Sequence, residues 1–86
     1  MREYVVRFAR SARKELERLD SSLVARIFRR IEALSRNPRP PGCRKLRGTR
    51  NLWRIRVGEY RIVYEVLDDA GLVDVVTVRH RKDAYQ

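Results

Sequence analysis

The chain has 86 residues, with 21 Lys or Arg against 11 Asp or Glu, a net charge of +10 and a sequence pI near 11.0. That length holds one small domain, expected to run from residue 1 to 86, and the charge points to an acidic partner such as nucleic acid or an acidic protein. Single Cys and His residues exclude a disulfide framework and a protein zinc site. No apolar run approaches the roughly 20 residues of a membrane span, so a cytoplasmic protein without cofactor or metal is expected.

Residues 2–8 alternate, with Tyr4, Val6 and Phe8 on one face, which predicts a half-buried strand. Ser11 is the expected N-cap of a short helix carrying Leu16 and Leu19. Asp20, Ser21 or Ser22 caps a second helix, where Leu23, Ile27, Ile31 and Leu34 form an apolar stripe widened by Val24 and Phe28. Arg26, Arg29, Arg30 and Glu32 fall on its other side. The helix is expected to stop near Asn37-Pro38, with a stiff turn at Pro40-Pro41-Gly42.

The second half reads as strands over 52–57, 60–67 and 72–79, rich in Val, Ile, Tyr and Trp. Gly58-Glu59 makes the first turn a two-residue hairpin, and Asp68-Asp69-Ala70-Gly71 makes the second. The last strand is apolar on both faces around Val75, Val76 and Val78, which predicts a central place beside the N-terminal strand. The expected fold is α+β, in the order β-α-α-β-β-β, with a largely antiparallel sheet and a helical hairpin on one face.

Strand alternation sorts the hairpin residues. Trp53, Ile55, Val57, Tyr60, Ile62 and Tyr64 face the helices, and Arg54, Arg56 and Arg61 face the other way. A two-residue turn sets Arg56 opposite Arg61, a like-charge pairing that is destabilising and that suits a site for phosphate. Lys45 and Arg47 are expected to approach this face from the preceding loop as substrate-binding cations. Arg79-His80-Arg81-Lys82 and Tyr85 follow the last strand, and a meander brings them near the hairpin. Guanidinium groups with an aromatic ring at the rim suit single-stranded RNA. His80, the one side chain whose ordinary pKa lies near neutrality, is expected as a further substrate-binding residue and a candidate acid or base, although strand alternation sets residues 80 and 81 on opposite sides.

The order of Lys45-Leu46-Arg47-Gly48, Trp53-Arg54-Ile55-Arg56, Tyr60-Arg61-Ile62-Val63-Tyr64 and Val78 to Tyr85 resembles the RelE/ParE toxin superfamily, within it the RelE branch. The resemblance covers nearly the whole chain. It implies a toxin of a type II toxin–antitoxin system that cuts mRNA in the ribosomal A site, by attack of a ribose 2′-hydroxyl on the adjacent phosphate and without a metal. It also implies an acidic antitoxin as partner, in a toxin–antitoxin hetero-oligomer, together with ribosomal RNA and mRNA. By that resemblance Arg54 and Arg56 are the basic pair of the second strand, and Arg61 stabilises the phosphorane. Arg81 assists the leaving oxygen, and Tyr85 stacks on a base. The family pattern has a lysine, proposed as general base, where this chain has Arg56, and a guanidinium is a poor base. The general base is therefore left open. The alternatives are a ParE-like inhibitor of DNA gyrase and a domain that only binds RNA or antitoxin.

Overall fold

A computed structural model describes residues 3–82. The elements are β1 (Val5–Phe8), α1 (Arg10–Glu17), α2 (Ser21–Ala33), β2 (Arg44–Lys45), β3 (Leu52–Val57), β4 (Tyr60–Leu67) and β5 (Leu72–His80). They form one sheet in the order β1-β5-β4-β3-β2, parallel between β1 and β5 and antiparallel elsewhere. The α+β class and the central place of the last long strand are as expected. The two-residue β2, after Pro40-Pro41-Gly42, was not expected, because so short a strand has no alternation to read.

Burial follows the predicted faces. Ile55, Val57, Ile62, Tyr64, Val66, Val73, Val75 and Val78 meet Ala12 and Leu16 of α1, Ile27 and Ile31 of α2, and Leu34. Helix α1 packs over β5 and α2 over β3. Each fully buried Ile or Val contributes about 1.5–3 kcal/mol, so this layer of side chains is the main source of stability. Phe28 widens the stripe but stays 44% exposed, with its ring against Phe8. Tyr64 is fully buried and donates its phenol O–H to the Pro38 carbonyl at 2.7 Å, which anchors the proline-rich segment after α2. Burial pushes its pKa well up, with nearby Cys43 adding to the effect.

Two helix ends differ from expectation. Ala9, not Ser11, is the N-cap of α1. Ser11 lies inside the first turn and donates its hydroxyl to the Val76 carbonyl at 2.7 Å. Helix α2 begins after Asp20, whose carboxylate accepts from the Ser22 hydroxyl. It ends at Ala33, and the chain unwinds through tight turns at Leu34, Ser35 and Arg36 before reaching Asn37.

Strand β5 carries a bulge. Val63 pairs with Thr77 and Tyr64 with Val75, so Val76 is the extra residue. For this reason Val75 and Val78, three apart, are both buried on the helix side. The double-faced apolar run in the sequence is in part this change of parity.

The Gly58-Glu59 turn joins β3 to β4. Gly58 has φ 59° and Glu59 does not have positive φ, as a Gly-first type II′ turn requires. A Cβ at Gly58 would sit 3.3 Å from Nη2 of Arg26, which reaches across from α2. Gly58→Ala is expected to destabilise the fold by about 1–3 kcal/mol, read as a lower midpoint in urea unfolding.

At the opposite end of the sheet, Asp68 accepts from Arg39 Nη2 at 2.7 Å and Nη1 at 3.2 Å, and from the Tyr4 phenol at 2.7 Å. Arg39 also lies 5.2 Å over the Trp53 ring. The Arg39 hydrogen bond, then that of Tyr4, holds the Asp68 carboxyl below its ordinary value. A depressed carboxylate stabilises the fold above its unfolded pKa, and that stability is lost as pH falls through the lower folded value. Asp68→Asn is therefore expected to lower the urea midpoint near neutral pH and to flatten its decline below about pH 4.

Candidate nucleic-acid interface

The register of the sheet builds the site. Arg56 pairs with Arg61 across β3 and β4, and Arg61 pairs with Arg79 across β4 and β5. Three arginines thus stand in one row across three strands, on the face away from the helices. In the neighbouring row Arg54 pairs with Arg44 on one side and Val63 on the other. Directly opposed like charges on a sheet are unfavourable, and here they occur three times.

Three depressions join these residues. One, of about 190 Å³, is lined by Arg56, Gly58, Glu59, Tyr60, Arg61 and Arg81. A second, of about 270 Å³, lies between Leu46, Arg54, Arg61 and Arg79, with Val63 and Thr77 as its floor. A third, of about 330 Å³, is lined by Arg30, Gly42, Arg44, Arg54 and Arg56. Arg54, Arg56 and Arg61 are each shared between two of them, so the basic surface is continuous.

Arg81 reaches the first depression because the ladder continues past β5. Its backbone N–H donates to the Glu59 carbonyl at 2.6 Å. His80 falls on the other side, as alternation requires, with its ring edge-on to Tyr60 at 5.2 Å. The His80 Nδ1 accepts the Lys82 backbone N–H at 3.2 Å. It is not among the residues lining the depression; it shapes the corner from which Arg81 projects.

Of the other expected site residues, Lys45 lies opposite Trp53 and so shares the helix-side parity. It does not join the arginine face, which is a correction to the expectation. Arg44, one residue earlier, takes that place. Arg47 is exposed in the turn after β2, where Leu46 rather than Arg47 lines a depression. Tyr85 lies outside the described residues. Arg44, Arg79 and Arg30 were missed as site residues. The meander register predicts Arg79 once Val76 is recognised as a bulge, whereas Arg44 and Arg30 carry no sequence signal beyond their charge.

The chain's likeness to known proteins agrees with this geometry. The family described as ParE toxin of type II toxin–antitoxin system, parDE, matches residues 6–85. A RelE-like toxin protein of Escherichia coli is 34% identical, over 95% of this chain and 90% of its own length. Toxin RelG of Mycobacterium tuberculosis is 32% identical, over 96% and 97%. Among solved structures, a chain of the toxin–antitoxin complex RelBE2 from M. tuberculosis superposes with a TM-score of 0.80 at 31% identity, covering 92% of this chain and 99% of that one. The archaeal RelE-RelB complex from Pyrococcus horikoshii OT3 gives 0.83 at 26% identity, over 94% and 98%. The chain belongs to the RelE/ParE superfamily of type II toxin–antitoxin toxins, in its RelE-like branch.

The opposed arginines have a measurable cost. Arg56→Gln removes one partner of a like-charge cross-strand pair and is expected to raise stability by about 0.2–1 kcal/mol at low salt. The gain should shrink as salt screens the pair, as read from urea midpoints at two ionic strengths.

Proposed function

We propose that this toxin is a ribosome-dependent endoribonuclease that cuts mRNA in the A site by attack of a ribose 2′-hydroxyl on the adjacent phosphate. The observation that carries this reading is the convergence of Arg56, Arg61 and Arg81 on one depression, beside the row that ends in Arg79. An RNA phosphate gains negative charge in a pentavalent transition state, and preorganised cations favour that state over the ground state. Arg61 faces the equatorial oxygens, Arg81 the leaving 5′-oxygen, and Arg54 and Arg56 hold the flanking charge. Tyr85 stacks on a substrate base. Arg47 contacts RNA from the edge of the sheet, and His80, behind the arginine face against Tyr60, steadies the corner that presents Arg81.

The same cationic face suits an acidic antitoxin, and the RelB–RelE complexes among the similar structures support such a partner in a hetero-oligomer. An apolar groove between β1 and α2, lined by Tyr4, Val6, Phe28 and Ile31, supports a protein partner as well. The place of action is the cytoplasm, where the ribosomes are; among the described residues no helix is long and apolar enough to cross a membrane. A second reading, inhibition of DNA gyrase without nuclease chemistry, has the ParE description of the matching family in its favour.

Programmed 70S ribosomes separate the two. Primer extension is expected to show A-site cuts with the purified toxin, reduced about 100-fold or more in Arg61→Ala and Arg81→Ala. Intact mRNA together with gyrase–DNA cleavage complexes would support the second reading instead.

A further inference from the structure

The reaction needs a group that takes the proton from the 2′-hydroxyl. None of the arginines serves, because a guanidinium is a donor only and stays protonated. We propose that Glu59 is that group, an inference that rests on the ribonuclease reading above.

Glu59 lines the same depression as Arg56, Arg61 and Arg81, and it is the one carboxylate among the lining residues. Of the others, Gly58 has no side chain, and Tyr60 turns its ring to His80. The turn holds Glu59 in a fixed relation to Arg81, since the Glu59 carbonyl accepts the Arg81 N–H at 2.6 Å. Among the described residues Glu59 enters neither of the two salt bridges. A carboxylate offers about four lone-pair sites for accepting a proton. The charged or titratable groups around this corner are Arg56 on β3, Tyr60 and Arg61 on β4, and Arg81 and His80 at the end of β5. Arg26 of α2 adds its guanidinium over Gly58.

In the step, a Glu59 carboxylate oxygen takes the 2′-hydroxyl proton as the O2′–P bond forms and the P–O5′ bond breaks. The phosphate leaves as the 2′,3′-cyclic diester, with its charge held by Arg61 and Arg56. The departing 5′-oxygen, beside Arg81, takes a proton from water. The hydroxide so formed removes the proton from Glu59 and restores the carboxylate, so no water is consumed. The chain thereby supplies the base that Arg56 does not.

The bland role for this residue is charge balance, a carboxylate set among arginines to ease their repulsion. The two roles predict opposite signs for Glu59→Gln, which keeps the size and the turn but removes the basic oxygen. As charge balance alone, its loss strengthens the hold on RNA and leaves or raises the rate. As proton acceptor, its loss lowers the rate at saturation by about 100-fold or more, with binding unchanged or tighter.

The test is single-turnover cleavage of A-site mRNA on programmed ribosomes, with toxin titrated to saturation. Glu59→Gln should be about 100-fold or more slower than wild type at saturation, and Glu59→Asp should keep part of the rate. A urea midpoint for the Gln variant equal to wild type excludes a folding defect. A saturated rate in Glu59→Gln equal to or above wild type overturns the inference, whether binding tightens or weakens. If wild type cuts and Glu59→Gln cuts equally well, Glu59 alone is discarded; if wild type does not cut, the ribonuclease reading falls and this inference with it.

Discussion

The Gly58-Glu59 turn is the constraint on which the rest of the site depends. A two-residue type II′ turn permits one register between β3 and β4, and that register sets Arg56 against Arg61 and Val57 against Tyr60. A slip of one residue would send the apolar row of Ile55, Val57, Ile62 and Tyr64 to solvent and bury arginines under α2. The energy of the core and the geometry of the basic face are thus fixed by the same two residues. Repulsion along the Arg56, Arg61 and Arg79 row is tolerated because the buried layer on the other side of each strand is worth far more than the exposed pairs cost.

The bulge at Val76 is the second device, and it acts on the opposite side of the site. In an unbroken strand, residues 73, 75, 77, 79 and 81 would share one face, and Val73 and Val75 are buried against the helices. The extra residue reverses the parity. Thr77, Arg79 and Arg81 therefore come out on the arginine side, and Val78 and His80 go in. Ser11 binds the Val76 carbonyl, and the Ala9 N–H binds that of Val75 at 2.8 Å. The start of α1 thereby pins the irregularity that aims Arg81. Because α1 already begins at Arg10, Ser11 lies past the cap position and its hydroxyl is available for this bond.

Much of this was legible in the sequence. Alternation over Trp53 to Val57 and Tyr60 to Tyr64, with a Gly-first turn between, was enough to give the hairpin, its register and the shared face of Arg54, Arg56 and Arg61. The stripe of Ile27, Ile31 and Leu34 was enough for the helix that covers it. The features that escaped have physical reasons. Strand β2 is two residues long, too short for a period, so Lys45 was placed by proximity when the face was decided by its pairing with Trp53. The bulge looks in sequence like a strand buried on both sides, because Val75-Val76-Val78 fits either description. The contribution of Arg79 depended on that distinction and was therefore hidden with it.

Charge on the open sheet face is graded along the strands as well as concentrated. Away from the hairpin turn, Glu65 pairs with Asp74, and Asp74 lies 3.6 Å from Arg7. Toward the turn come Arg54 and Arg44, then the row of Arg56, Arg61 and Arg79, then Arg81 beside Glu59. A polyanion approaching this face meets like charge at one end and opposite charge at the other, so the field orients it before any contact forms. The gradient draws a phosphate toward the turn, where the arginines surround one small depression. Placing Glu59 there runs against the gradient, since a carboxylate in the most positive corner weakens the attraction that the rest of the face creates. That placement suits a proton acceptor, which has to stand next to the phosphate whose P–O5′ bond is broken, and it is the rate of the Gln variant that separates this role from charge balance among the arginines.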